Sequence, residues 1–188
     1  MYNTRLDFLK KAYESVNADL KFAETKNTFL TSFNLAIIAA SITFLSDDND
    51  ITCIAAFLFM LFCVAIILAT LIASYSYLPL NKADRFFNQD PSQVKAKNLM
   101  FYKHNFHMYE WNSTGYSKCK NDVVTMFPDE NGDSIPLDSY EEQLVCQIVD
   151  LSHVANTKFS LFSIALTVEI VGLLLLMVFL ALSCFSWC

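Results

Sequence analysis

The sequence predicts a mainly α membrane protein with three transmembrane helices, a helical cytosolic stalk and a small cytosolic α(+β) module. Three observations predict it. Two apolar runs, Thr28 to Leu45 and Ile51 to Leu78, carry no charge and are separated only by Ser46-Asp47-Asp48-Asn49-Asp50. A third run, Phe159 to Trp187, carries a single charge, Glu169. All 13 lysines and arginines lie outside these runs, although 54% of the chain is apolar and only 17% charged, so the composition is an average over two kinds of sequence. Each run is long enough to cross a hydrocarbon core of about 30 Å as a helix. A soluble domain of 188 residues would struggle to bury helices that have no polar face, whereas a bilayer accepts them.

The chain then divides into a cytosolic amphipathic helix (1–27), a transmembrane hairpin (28–78), a cytosolic module with its stalk helix (79–158) and a third transmembrane helix (159–187). Residues 1–27 carry both signs of charge and lack an apolar core, so they do not read as a signal peptide, and the first span is expected to stay as an anchor. The basic residues sit either before the first span or between the second and third. The hairpin loop holds only acids, so the positive-inside rule puts the N-terminus and residues 79–158 in the cytosol. A net charge of −6 with no lysine-arginine stripe argues against nucleic acid as a partner. The six cysteines include no C-x-x-C pair; Cys53, Cys63 and Cys184 fall in or beside lipid, Cys119 and Cys146 on the reducing side, and Cys184 and Cys188 are expected to stay unpaired.

In the first segment Leu6, Leu9, Tyr13, Val16, Leu20 and Ala23 recur at spacings of three and four. This stripe suits packing on the chain's own module or on a second copy, two readings of equal weight for so short a seam. No proline or glycine interrupts it before Leu30, so the helix is expected to run straight into the first span. Within that span Asn34, with Thr31, Ser41 and Thr43, brings polar groups into lipid, where an amide seeks an interhelical partner worth on the order of 1 kcal/mol. The second span ends at Tyr75, Tyr77 and Pro79, an aromatic interface belt followed by a helix stop.

Pro91-Ser92 starts a further predicted helix to Trp111, with Leu99, Tyr102, Phe106 and Tyr109 on one face. His104, His107 and Glu110 step along it at intervals of three, but each step turns the side chain about 60°, so ordinary surface residues are the better reading than a metal site. Asn112-Ser113-Thr114-Gly115 reads as a break, and Val123 to Phe127 as a short strand entering a turn at Pro128 to Asp133, with a small hairpin to Ser134–Leu137. Asp138 and Glu141 make a capping box for a last helix, whose Leu144, Ile148, Leu151, Ala155 and Phe159 continue without a breaker into the third span. Glu169, about ten residues into that span, is the deepest charge in the chain. A carboxyl there costs roughly 2.5–3.5 kcal/mol at the bilayer centre and faces a bundle interior or a wet cavity. It serves either as interhelical glue or as an ionisable group on a conducting path. Asn34, Ser41, Thr43, a water or its own copy in another subunit are its candidate neighbours.

Several of these stretches resemble, in order, the Pycsar-type transmembrane effectors of bacterial anti-phage defence. Ala23-Glu24-Thr25-Lys26 through Leu30 to Phe33-Asn34 is similar to their A-D-x-K…L…F-N approach to the first span, with Glu24 in place of the aspartate and Asn27 in place of an alanine. Asn98-Leu99-Met100-Phe101-Tyr102 resembles their N-x-φ-F-F segment (φ, apolar). Tyr140 through Leu144, Gln147, Ile148, Leu151 and Ser152 to Lys158-Phe159 resembles the helix before their last span. The turn from Pro128 to Asp133 has no counterpart.

The resemblance implies an effector of the inner membrane, multi-pass with a cytosolic N-terminus, which senses a cyclic pyrimidine nucleotide (cUMP or cCMP) in the cytosol and impairs membrane integrity. No glycine-rich phosphate loop is present and only three glycines occur, so side chains and helix ends would hold such a ligand, at residues the sequence does not identify. Three spans per chain enclose too little for a pore, so a homo-oligomer in the lipid bilayer is expected. The alternative is a structural or adaptor membrane protein whose cytosolic module binds another protein. No catalytic set, metal cluster or cofactor motif is readable, and no enzyme activity is expected.

Overall fold

The computed structural model describes residues 2–46, 53–77, 100, 103, 105, 108–110, 112–128 and 132–186. Its helices are α1 (Tyr2–Ser46), α2 (Cys53–Tyr75), α3 (Ser113–Met126) and α4 (Ser139–Ser186), and no strand occurs among the described residues. α1, α2 and α4 are each long and apolar enough to cross a membrane. The chain is a mainly α membrane protein. α1 spans 45 residues and α4 spans 48, each without a break, as the absence of proline and glycine before the first span and at the start of the third requires.

The chain forms two compact units: residues 1–23 with 80–158, and residues 24–79 with 159–188. α1 and α4 each contribute to both. In the first unit, Leu9, Ala12 and Val16 of α1 pack with Leu144, Val145, Ile148 and Val149 of α4, Cys119 and Val123 of α3, and Tyr109. The amphipathic stripe of α1 is thus buried within its own chain. Arg5 lies on the same face, 3% exposed, and its guanidinium forks onto Glu141 (Nε to Oε1 2.9 Å, Nη2 to Oε2 2.5 Å) while donating to the carbonyls of Ile135 and Pro136. Glu141 also completes the capping box: its backbone N–H donates to Asp138 Oδ1 (2.6 Å), and its Oε2 accepts from the Asp138 N–H (3.1 Å).

α3 corrects the expected strand and hairpin. Val123 to Met126 are helical, and Ser134 to Leu137 pair with no strand. The β-branched Val123-Val124-Thr125 run suggested a strand, but Gly115, Cys119 and Val123 lie four apart and are all buried, so tertiary packing overrides the local preference. The expected break is the helix start: Asn112 caps α3, its Oδ1 accepting from Gly115 N (2.9 Å). Gly115 is needed there, because a Cβ would lie 1.9 Å from the Glu110 carbonyl oxygen. Gly132, at φ +86°, supplies the left-handed residue of the expected turn. Of the helix expected from Ser92 to Trp111, Lys103, Asn105 and Met108 are helical, Met100 lies in a turn, and the chain has left the helix by Tyr109 and Glu110; the other residues of that stretch, with His104 and His107, lie outside the described residues, as do Cys188 and, within the expected turn, Asp129 and Asn131.

The second unit is a three-helix bundle. Leu30, Ala73 and Ala165 form one cluster, with Ile72 and Phe162 against it. A larger cluster follows along the helices, built from Ala55, Phe59, Phe62, Ile66 and Phe179, with Ile37, Ile38, Phe44 and Leu173 among its flanks. Gly172 allows α4 to approach α2: a Cβ there would lie 3.1 Å from Ala65 Cβ. The outer surface is apolar: Phe29 is 72% exposed, Ile54 70% and Met177 66%, a cover suited to lipid and not to water.

Candidate functional site

Polar side chains inside the second unit stand against an otherwise apolar interior. Asn34 is fully buried and Glu169 is 3% exposed. Their register follows from the clusters on either side. Asn34 lies one turn beyond Leu30, Glu169 one turn beyond Ala165, and Ala69 one turn before Ala73, each about 6 Å of helix rise from a shared layer. Asn34, Ala69 and Glu169 therefore occupy the next layer, between the Leu30 cluster and the aromatic one, and Ala69 contributes only a methyl group. Thr31 sits about one turn below Asn34.

Both Asn34 side-chain polar atoms, Thr31 Oγ1 and Glu169 Oε2 are buried without a hydrogen-bond partner. The other candidate neighbours are used locally: Ser41 Oγ donates to the Ile37 carbonyl (2.9 Å) and Thr43 Oγ1 to that of Ala39 (3.2 Å). Beyond the layer, the rings of Phe44, Phe59, Phe62 and Phe179 pack at centroid distances of 5.0 to 5.9 Å and close that side.

The first unit treats polar groups differently. Tyr109 donates to Asp122 Oδ2 (3.1 Å), Tyr116 to Asp150 Oδ1 (2.5 Å), and Asn105 Nδ2 to Ser152 Oγ (3.2 Å). His153 Nε2 lies 2.7 Å from the Tyr109 carbonyl, which can only accept, so that nitrogen carries the proton. Burial lowers the His153 pKa, with the Tyr109 carbonyl and Asp150 opposing it. Burial pushes the Cys119 thiol up to about 12, with Asp122 adding to the effect, so it remains a neutral, packed thiol. Burial likewise raises Tyr109, with Cys119 and Asp122 adding to the effect.

Two adjoining surface clefts of about 360 and 400 Å³ share Lys120 and Glu142. Ser117, Asn121 and Ser134 line the first, and Ser139, Gln143 and Gln147 the second. Lys120 Nζ lies 3.1 Å from Glu142 Oε2, an ion pair at the surface. Both clefts are open to solvent, and their lining combines one cation and one carboxylate with amides and hydroxyls. Among the described residues no group of three His, Cys, Asp or Glu side chains is placed to hold a metal ion. Sequence reading found Asn34 and Glu169 because polar groups stand out in apolar runs. It missed the Arg5–Glu141 pair and the Lys120 clefts, although Arg5, four residues before Leu9, already lay on the buried stripe.

A family model described as the Pycsar effector protein domain matches residues 8–185. No curated protein and no solved structure matches the chain.

Proposed function

This chain belongs to the Pycsar effector family of anti-phage defence, and on that premise we propose that it is an inner-membrane effector that responds to a cyclic pyrimidine nucleotide in the cytosol by impairing membrane integrity. The observation that carries the reading is a family match over nearly the whole length of a chain with three helices able to cross a membrane. The basic residues support an orientation with the N-terminus and the first unit in the cytosol. α1 and α4 support coupling, because each runs unbroken from one unit into the other, so a displacement of either helix in the first unit is carried into its span. The role is that of a switch, with no chemical step.

The clefts around Lys120 are the candidate ligand site in this reading. A cyclic mononucleotide carries one phosphodiester charge and a pyrimidine edge of donors and acceptors. Lys120 suits the former, in exchange for Glu142, and Asn121, Gln143 and Gln147 suit the latter. Both clefts are open, so a second copy of the chain is the expected cover, consistent with a homo-oligomer. Co-expression with a cyclase producing cUMP or cCMP is expected to admit a membrane-impermeant dye, with neither protein alone doing so. Lys120→Ala is expected to abolish the response while membrane insertion is retained. Unchanged dye uptake on co-expression, with the protein shown in the membrane, overturns the effector reading in favour of an adaptor.

A further inference from the structure

We propose that Thr31, Asn34 and Glu169 form a binding site for one hard monovalent cation, sodium or potassium, in the interior of the second unit. Four polar atoms of these residues are buried without partners beside clusters of aliphatic and aromatic side chains. Each such atom inside a bilayer costs several kcal/mol unless it is satisfied. Three of the four are oxygens: a hydroxyl, an amide carbonyl and a carboxylate. That donor set suits a hard cation.

The charge count selects a monovalent ion. No lysine or arginine occurs in residues 28–78 or 159–187, so Glu169 has no basic partner in any span. The nearest lysine before the first span, Lys26, rests over the Phe159 and Phe162 rings (5.5 and 5.4 Å) and lies about 12 Å of helix rise short of Asn34. One monovalent cation cancels the single carboxylate, whereas a divalent ion would leave an uncompensated positive charge in the hydrocarbon. Loading exchanges a proton for the ion: the carboxyl O–H bond breaks, the proton leaves to solvent, and the carboxylate oxygen takes the cation. The fourth atom, Asn34 Nδ2, is a donor and also has no partner in the bundle. Ala69 contributes only a methyl group to the layer, and the aromatic cluster of Phe44, Phe59, Phe62 and Phe179 closes the side beyond it. The site is independent of the nucleotide trigger.

Thermal unfolding of the full chain in detergent tests this, comparing sodium or potassium chloride with N-methylglucamine chloride at equal ionic strength. The small cations are expected to raise the melting temperature by about 3 °C. Glu169→Gln, which keeps shape and hydrogen bonding, is expected to remove the rise, and Asn34→Leu to reduce it. Because Asn34→Leu alters packing, infrared difference spectra give a second readout: a protonated-carboxyl band in N-methylglucamine that sodium suppresses and Glu169→Gln lacks. Equal melting temperatures in all three salts, or a carboxyl band indifferent to sodium, overturn the proposal and leave a neutral acid acting as interhelical glue. A rise in Glu169→Gln as large as in the wild type overturns it as well.

Discussion

The two units differ in how they bury their most enclosed polar groups. In the first, the buried Arg5 and Glu141 are paired two bonds to two, with three further polar partners around them. In the second, Thr31, Asn34 and Glu169 retain buried atoms with no partner. Removing water raises the cost of an unpaired group in both places. The first unit uses polar contacts to specify a unique packing. The second retains polar groups that its own packing does not satisfy, the feature on which the proposed cation site rests.

The comparison is broken most severely at Arg5. Arg5→Met leaves Glu141 charged and buried, and is expected to destabilise the chain by about 3–5 kcal/mol in denaturant unfolding. Adding Glu141→Gln should recover much of that loss; no recovery would mean that the pair does not govern the packing. Next in size is Gly115→Ala, whose Cβ meets backbone at 1.9 Å and is expected to cost about 1–3 kcal/mol by the same measurement. Asp138→Ala removes one arm of the capping box for about 1 kcal/mol.

In the second unit, Gly172→Ala sharpens the contrast by its smallness. The gain in helix preference opposes a squeeze of a few tenths of an ångström against Ala65, and thermal unfolding is expected to change by less than about 1 kcal/mol. The smallest effect is that of His153. Its folded pKa lies below the usual 6.5, so in the window between the two values the unfolded chain binds more protons. Its contribution is therefore present above pH 6.5 and falls as pH drops through that window. His153→Gln is expected to flatten stability against pH over that range.

Much of the architecture is determined by the sequence alone because its signals are local. Lipid solvation demands uninterrupted apolar runs, so the three spans are visible as such, and the family resemblance noted along the same stretches agrees with the match over residues 8–185. Uninterrupted helices follow from the missing breakers, and the cap of α4 from Asp138 and Glu141 standing three apart. Tertiary structure decided the rest, where one local pattern has two outcomes. Val123-Val124-Thr125 has strand chemistry, yet it became helical because Cys119 and Val123 are buried in the core with Leu9 and Ile148. The stripe of α1 was equally suited to a second copy or to its own chain, and burial of Leu9, Ala12 and Val16 with α4 chose the latter. Asn34 and Glu169 were each legible as polar groups in lipid. Their common layer, 135 residues apart in sequence, was not, because it is set by the packing of Leu30 with Ala73 and Ala165 and of Gly172 with Ala65, contacts between helices that no local spacing encodes.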